Sequence, residues 1–275
     1  MPEGPEIKRA ADAIARAIAQ QPITEVFFAF EHLKPYSEKL KGQQVIAVEP
    51  RGKALLTRFA NQLNIYSHNQ LYGKWMIRKA HSYPETNRQL RLALHTAKKS
   101  ALLYSASDIE VLHDDELASH PFLNRIGPDV LHSDTTLDAV IARFQDKAFY
   151  RRQLTSLLLD QGFLSGLGNY LRSEILFVAG VHPKRRPADC SEPQIHALAK
   201  GAIALPRQSY ATGGITNDLQ RVEQLKAQGF SRSAYRFYVF SREGRPCFQC
   251  DTPIVKEQSG GRRYYFCPRC QPAKS

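Results

Sequence analysis

The chain has 275 residues, with 38 Lys and Arg against 26 Asp and Glu, for a formal charge of +12 at pH 7. That excess points to a polyanionic partner, nucleic acid first. A hydrophobic content of 43% is ordinary for a soluble globular protein, no run of eighteen apolar residues offers a membrane span, and the N-terminus lacks the basic-then-apolar layout of an export signal, so membrane and secreted classes are set aside.

The chain opens Met1-Pro2-Glu3-Gly4-Pro5-Glu6. A small second residue permits removal of Met1, which would leave Pro2 with a free secondary amine. Such α-amino groups titrate near ~7.7–8.0, well below lysine, so the amine is a nucleophile near neutral pH. Attack on an aldehyde or aminal carbon gives an iminium ion, an electron sink. Glu3 and Glu6 stand close enough to act as acid, base or anchor. The same six residues also make an ordinary helix start, with proline in the first turn and carboxylates at the positive end of the dipole.

Residues 5–20 read as an amphipathic helix with Ile7, Ala11, Ile14 and Ile18 in one stripe. Then the period falls to two. Strands are expected over 23–30, 44–48, 54–59, 63–67, 74–77, 90–95 and 101–104, as a sandwich or flattened barrel. Two turns stand out. Arg51-Gly52-Lys53 is a glycine turn that either carries solvated cations or aims Lys53 at a phosphate. At the second, Gln70-Leu71-Tyr72 places an amide, an apolar wedge and an aromatic face together before Gly73, either as a plain polar loop or as a filler for a duplex gap.

From about Asp114 the period returns to 3.6. Leu137, Val140, Ile141 and Phe144 stripe one helix, with Thr135 and Asp138 spaced as a capping pair. A second helix is expected over 151–161, a third through Glu174 to about Ala179, and a fourth from Ser191 to about Leu205. Between the second and third, Gly166-Leu167-Gly168-Asn169-Tyr170 permits a tight connection; either Asn169 caps a helix, or it joins backbone N–H groups in holding a phosphate. Residues 206–236 read poorly beyond a loop signal at Tyr210-Ala211-Thr212-Gly213-Gly214. The strongest signal is terminal: Cys247-x2-Cys250 and Cys267-x2-Cys270, sixteen residues apart, have the spacing of a four-thiolate zinc site. Strands are expected over 254–257 and 264–266 with a turn at Ser259-Gly260-Gly261. Two disulfides are the alternative, disfavoured without export. Cys190 stands apart and reads as an inert thiol.

With these pieces in order, the chain resembles the bacterial formamidopyrimidine-DNA glycosylase and endonuclease VIII family over nearly its whole length. The resemblance rests on residues 1–6, Arg51-Gly52-Lys53, the 166–170 turn with Glu174, and the cysteine hairpin. It implies an α+β protein: an N-terminal β-sandwich with a flanking helix over residues 2–125, a helical helix-two-turn-helix DNA-binding domain over 126–235, and a zinc-finger β-hairpin over 236–272. It implies excision of oxidised bases and strand cleavage at the resulting abasic site. In those terms Pro2 attacks C1′, Glu3 supplies a proton to the departing base, Lys53 contacts phosphate and serves β-elimination, and Arg262, five residues before Cys267, serves δ-elimination. Asn169 and Arg125 bind DNA backbone, Glu6 and Glu174 support, and Cys247, Cys250, Cys267 and Cys270 hold one structural zinc. The contiguous Gln70-Leu71-Tyr72 resembles the void-filling loop of the endonuclease VIII branch, so oxidised pyrimidines are the expected substrates. 8-Oxoguanine and formamidopyrimidine are the alternative, as is a catalytically silent sensor of damaged DNA. The expected setting is a monomer on double-stranded DNA in a bacterial cytoplasm, at the nucleoid.

Overall fold

The computed structural model describes residues 2–273. The chain divides into two compact units at Arg125/Ile126. No described helix is long and apolar enough to cross a membrane.

In the first unit α1 (Gly4–Ile18) starts where the sequence signals it: Pro5 lies in its first turn, and the Glu3 N–H at the N-cap donates to Glu6 Oε2 at 3.1 Å. Its buried face is Ile7, Ala11, Ile14 and Ile18. Then come β1 (Glu25–Phe28), α2 (Pro35–Leu40), β2 (Val45–Arg51), β3 (Ala54–Phe59), β4 (Leu63–His68), β5 (Lys74–Lys79), β6 (Leu90–His95), β7 (Lys99–Tyr104) and β8 (Asp108–His113). They form two four-stranded antiparallel sheets, ordered β1-β6-β7-β5 and β2-β3-β4-β8. One core lies between the sheets: Val26, Phe28, Leu92, Leu94 and Leu103 from the first meet Val45, Leu55, Phe59 and Ile65 from the second, and the α1 stripe joins them. The expected sandwich is present, but its eighth strand was not read. In β8 two buried residues, Ile109 and Val111, alternate with acids in a six-residue run; that is too short to stand out as a period. The helix α2 also went unread, since Pro35-Tyr36-Ser37-Glu38-Lys39-Leu40 buries only Leu40.

The second unit holds α3 (Leu137–Gln145), α4 (Leu154–Leu157), α5 (Asn169–Val178), α6 (Glu192–Ala211), α7 (Leu219–Ala227) and α8 (Arg232–Tyr235), then the antiparallel hairpin β9 (Val255–Ser259) and β10 (Arg262–Phe266). Phe144, Leu154, Leu157, Leu171, Ile175, Leu198 and Ala202 share its core. Four sequence expectations need correction. The α3 cap is Thr136, whose Oγ1 accepts from the Ala139 N–H at 3.2 Å, while Thr135 Oγ1 donates to Asp129 O at 2.6 Å. The helix expected over 151–161 shrinks to the single turn α4, because the Leu154 and Thr155 N–H groups bond Arg185 O (2.9 Å) and Pro183 O (3.1 Å). The loop expected at 210–214 starts late: α6 runs through Pro206 to Ala211 and ends at Gly213 and Gly214, both with positive φ. The hairpin strands are longer than expected, and Arg262 pairs with Ser259 across the Gly260-Gly261 turn.

Truncating Ile14 to Ala should cost roughly 2–5 kcal/mol, the range for a buried large-to-small change. Urea unfolding followed by circular dichroism measures it; an unmoved midpoint would mean that α1 does not seal the sandwich.

Candidate functional site

In the first unit the candidate residues gather at the N-terminus of α1, the β2–β3 turn and the β4–β5 loop. Pro2 directly precedes the α1 cap and is half-buried. Glu3 is 3% exposed and Lys53 7% exposed, so two ionisable groups are nearly withdrawn from water. Glu6 has a narrower part than the sequence left open: its carboxylate accepts from the Glu3 N–H and pairs with Arg9 Nη2 at 3.0 Å, so it anchors the helix start. Lys53 follows Gly52, whose φ of 60° favours glycine and makes the tight turn between β2 and β3.

That turn lies beside the end of β4, where Ala54 pairs with His68. Burial, the largest cause, holds the His68 imidazole below its ordinary pKa; the Asp108 carboxylate pulls it up and the Lys53 ammonium pushes it down. The His68 Nδ1 then accepts the Gln70 N–H at 3.0 Å, which a ring unprotonated at that nitrogen can do. Two residues on, the wedge tripeptide divides. The Gln70 side chain is docked on the start of β8: its Oε1 accepts from Ser107 Oγ at 2.7 Å, and it also hydrogen-bonds the Asp108 carboxylate, whose pKa burial raises. Leu71 and Tyr72 instead project, 53% and 68% exposed. Arg88 Nη1 donates to Tyr72 O at 2.6 Å, and the Gly73 N–H to Asn69 O at 2.7 Å. A Cβ at Gly73 would meet Asn69 O at 2.5 Å, so only glycine closes this loop. Ser107 and Asp108 were not read as site residues; their signal, a polar pair opening β8, was hidden because β8 itself was missed. Arg125 ends the first unit, exposed, with its N–H on Phe122 O at 3.1 Å.

In the second unit the site residues cluster on α5. Its N-cap is Gly168, so Asn169 is the first helical residue rather than the cap, and it remains half-exposed. The preceding turn is clipped by Gln161, whose Oε1 accepts the Gly166 N–H at 3.0 Å and whose Nε2 donates to Leu167 O at 3.0 Å. Glu174 is fully buried. Its Oε2 accepts from Thr216 Oγ1 (2.5 Å) and the Tyr238 N–H (2.8 Å), and its Oε1 from the Val239 (2.8 Å) and Phe240 (3.0 Å) N–H groups. Burial raises its pKa while these four donors oppose the rise. Arg262 and Arg263 stand exposed at the hairpin tip.

The four hairpin cysteines form the metal centre. Their sulfurs all lie within 4.8 Å of one another, and Cys250 Sγ is 3.4 Å from Cys267 Sγ and 3.5 Å from Cys270 Sγ. A tetrahedral ion ~2.3 Å from each sulfur puts the sulfurs roughly 3.8 Å apart. None of the four is in a disulfide. The Gln249 and Cys270 N–H groups donate to Cys247 and Cys267 Sγ, each at 3.4 Å, as loops around thiolates do. The donor set and geometry fit one structural zinc, with no open position for chemistry. Cys190, away from this cluster, donates to Arg186 O at 3.4 Å.

Comparison with known proteins agrees with this arrangement. The chain matches the formamidopyrimidine-DNA glycosylase N-terminal domain over residues 1–107, the formamidopyrimidine-DNA glycosylase H2TH domain over 126–220, and a zinc finger found in FPG and IleRS over 244–273. Endonuclease 8 of Escherichia coli is 49% identical over 271 residues, covering 98% of this chain and 100% of that protein. Endonuclease 8 of Klebsiella pneumoniae is 48% identical with the same coverage. Lactococcus lactis Fpg, solved with a DNA containing an oxidised pyrimidine, superposes with a TM-score of 0.81 at 21% identity over 99% of this chain and 100% of its own. The same protein non-covalently bound to abasic-site DNA gives a TM-score of 0.81 at 20% identity over 98% and 100%.

Replacing Glu174 by Gln sets an amide donor against backbone donors and should cost about 1–3 kcal/mol. The loss is expected as a lower melting temperature and faster hydrogen exchange at the 238–240 amides; unchanged exchange there would remove Glu174 as their holder. Chelating the zinc, or substituting Cys267→Ala, should unfold the hairpin and weaken DNA binding while the sheet signal persists. Metal analysis alongside circular dichroism reads both, and full DNA affinity after verified metal loss would make the hairpin dispensable.

Proposed function

The chain belongs to the formamidopyrimidine-DNA glycosylase and endonuclease VIII family, DNA glycosylases with abasic-site lyase activity that act in base excision repair, and from that premise we propose that it excises oxidised pyrimidines through Pro2 and cleaves the strand by successive β- and δ-elimination. The observation that carries the reading is the burial of Glu3 and Lys53 at 3% and 7% exposure in the unit that bears Pro2. Withdrawing ionisable groups from water is costly, and where it occurs beside a nucleophile it tunes acid–base work.

The steps follow from these residue types. With Met1 removed, the Pro2 nitrogen attacks C1′ as the N-glycosidic bond breaks, and Glu3 delivers a proton to the departing base. The proline nitrogen gives up its own proton and the sugar ring opens, the C1′–O4′ bond breaking with a proton to O4′, which leaves the sugar joined to proline as an iminium that acidifies C2′. Loss of a C2′ proton, with Lys53 nearby, expels the 3′ phosphate; a second elimination, served by Arg262, expels the 5′ phosphate. A water nucleophile would leave no iminium, so strand cleavage depends on the attacking group being an amine. Because C1′ lies inside a stacked duplex, the nucleotide is turned out, and exposed Leu71 and Tyr72 fill the gap. The oxidised-pyrimidine preference is supported by that contiguous wedge and by 49% identity to endonuclease 8 of Escherichia coli. Asn169 and Arg125 hold phosphates, and one copy of the chain acts alone.

Borohydride added to the protein on a duplex containing dihydrouracil should trap a covalent adduct, in higher yield than on an 8-oxoguanine duplex. Mass spectrometry should map it to the Pro2 nitrogen, and a retained Met1 should abolish it. Attachment at a lysine side chain would overturn the mechanism, and equal yields would overturn the preference. Glu3→Gln should slow base excision about 10²–10⁴-fold, the span for a general acid, while cleaving a preformed abasic site far less impaired.

A further inference from the structure

Arg172 is the largest fully buried side chain among the described residues. It stands on α5, three residues after Asn169. Its Nη1 donates to Thr155 O at 2.8 Å and its Nη2 to Arg263 O at 2.7 Å, and the guanidinium carbon lies 5.5 Å from the centre of the Tyr264 ring. Both of these contacts are to backbone carbonyls. Holding a cation there is expensive, and an apolar residue of similar volume commonly fills a buried position at no loss of stability. Core packing therefore does not account for the choice. What the guanidinium supplies is two donors in a rigid fork, a fixed spacer between two backbone points.

Those points flank a cavity of about 330 Å³ lined by Thr155, Ser156, Asp160, Ser259, Gly260 and Arg262. One arm of the fork holds Thr155, which lines the cavity; the other holds Arg263, whose neighbour Arg262 lines it too. A second clasp from α5 acts on the same strand, where Ser173 Oγ accepts the Tyr265 N–H at 3.2 Å. On its other side Arg262 adjoins Gly261 and Gly260, with φ of 73° and 55° and no atom within 4 Å of a notional Cβ at either. Across the turn it pairs with Ser259, and along its own strand its place follows from where Arg263 and Tyr265 are held.

We propose that Arg172 is a positioning residue for the second elimination: it fixes the height of β10 against α4 and so places Arg262. This rests on the reading that Arg262 serves that elimination. The prediction is a change in product distribution. The zinc-loaded protein is given a duplex with a preformed abasic site, and β- and β,δ-elimination products are resolved on a denaturing gel. Arg172→Met should lower the δ-to-β ratio on the order of tenfold or more, since ~1 Å of misplacement at a reacting group can cost about 10²-fold. Borohydride trapping, which reports the first step, and zinc content should hold. Arg172→Lys, which keeps the charge but can reach one carbonyl only, should give an intermediate ratio and carries the test if Arg172→Met does not fold. Arg262→Ala is run in parallel. A collapsed ratio in Arg262→Ala with a normal ratio in the Arg172 variants overturns the positioning role. A normal ratio in Arg262→Ala overturns the underlying reading of Arg262, and the proposal with it. A fall in ratio that tracks loss of trapping and of zinc makes Arg172 a general support and also overturns the proposal.

Discussion

The second unit depends on a carboxylate buried from solvent. Glu174 gathers three successive backbone N–H groups, from Tyr238, Val239 and Phe240, and the Thr216 hydroxyl. Consecutive N–H groups converge on one point only when the chain turns sharply, and left unmet in the interior each would cost of order 1–3 kcal/mol. The carboxylate makes that turn possible. The turn leads from α8 into the zinc hairpin, so one residue on α5 decides where the hairpin begins. Arg242, just beyond, is buried too: burial lowers its pKa to about 10, and its guanidinium carbon lies 3.5 Å from the centre of the Phe248 ring.

The rest of α5 repeats the principle with other groups. Over six residues it presents Asn169 toward solvent, uses Arg172 and Ser173 to grip β10 at Arg263 and Tyr265, and uses Glu174 to grip residues 238–240. Gln271 adds a tie from the far end of the hairpin, accepting the Cys267 N–H at 3.0 Å and donating to Val181 O at 2.9 Å, just past the end of α5. A hairpin this small has little core of its own, and its metal supplies most of its folding energy. Zinc fixes its internal shape; polar groups of α5 and its flank fix its place on the unit. A helix so loaded with buried charge is poor as generic core and makes sense as a mount.

Legibility in the sequence followed locality. The cysteine hairpin and the α1 stripe could be read because metal spacing and helical periodicity are local signals, and Cys247, Cys250, Cys267 and Cys270 stand as that spacing requires. The region 206–236 could not, because α7 and α8 bury almost nothing: only Val222 of α7 is buried, and no residue of α8. Without an apolar stripe there is no period to see. α4 was misread for the opposite reason. Leu154, Leu157 and Leu158 have helical spacing, but the backbone of 154–155 is claimed by residues 183–185, a pairing no local window contains. The polar side of the site was least legible. Glu174 acts on residues 42 to 66 positions away, and Arg172 on residues 17 and 91 positions away, and no local pattern around them announces those partners.

The wedge loop illustrates how rigidity and exposure are reconciled. Two large apolar side chains in water, Leu71 and Tyr72, are a liability for folding and for solubility. The loop that carries them is correspondingly well held: His68 on the Gln70 N–H, Ser107 and Asp108 on its side chain, Arg88 on the Tyr72 carbonyl, and Gly73 closing onto Asn69. Gln70 itself adopts a φ of 49°, a left-handed conformation that a non-glycine residue keeps only when its surroundings enforce it. In the proposed gap-filling role, a loop already ordered would lose little further freedom on entering a duplex, so more of the stacking energy would remain for binding. The three residues that looked equivalent in the sequence therefore differ in kind. Leu71 and Tyr72 face outward as formed, whereas, in the proposed gap-filling role, Gln70 must leave Ser107 and Asp108 before its amide can meet a base. In that proposed role its contribution is the difference between two sets of hydrogen bonds, which would make it the adjustable member of the trio and the apolar pair the constant ones.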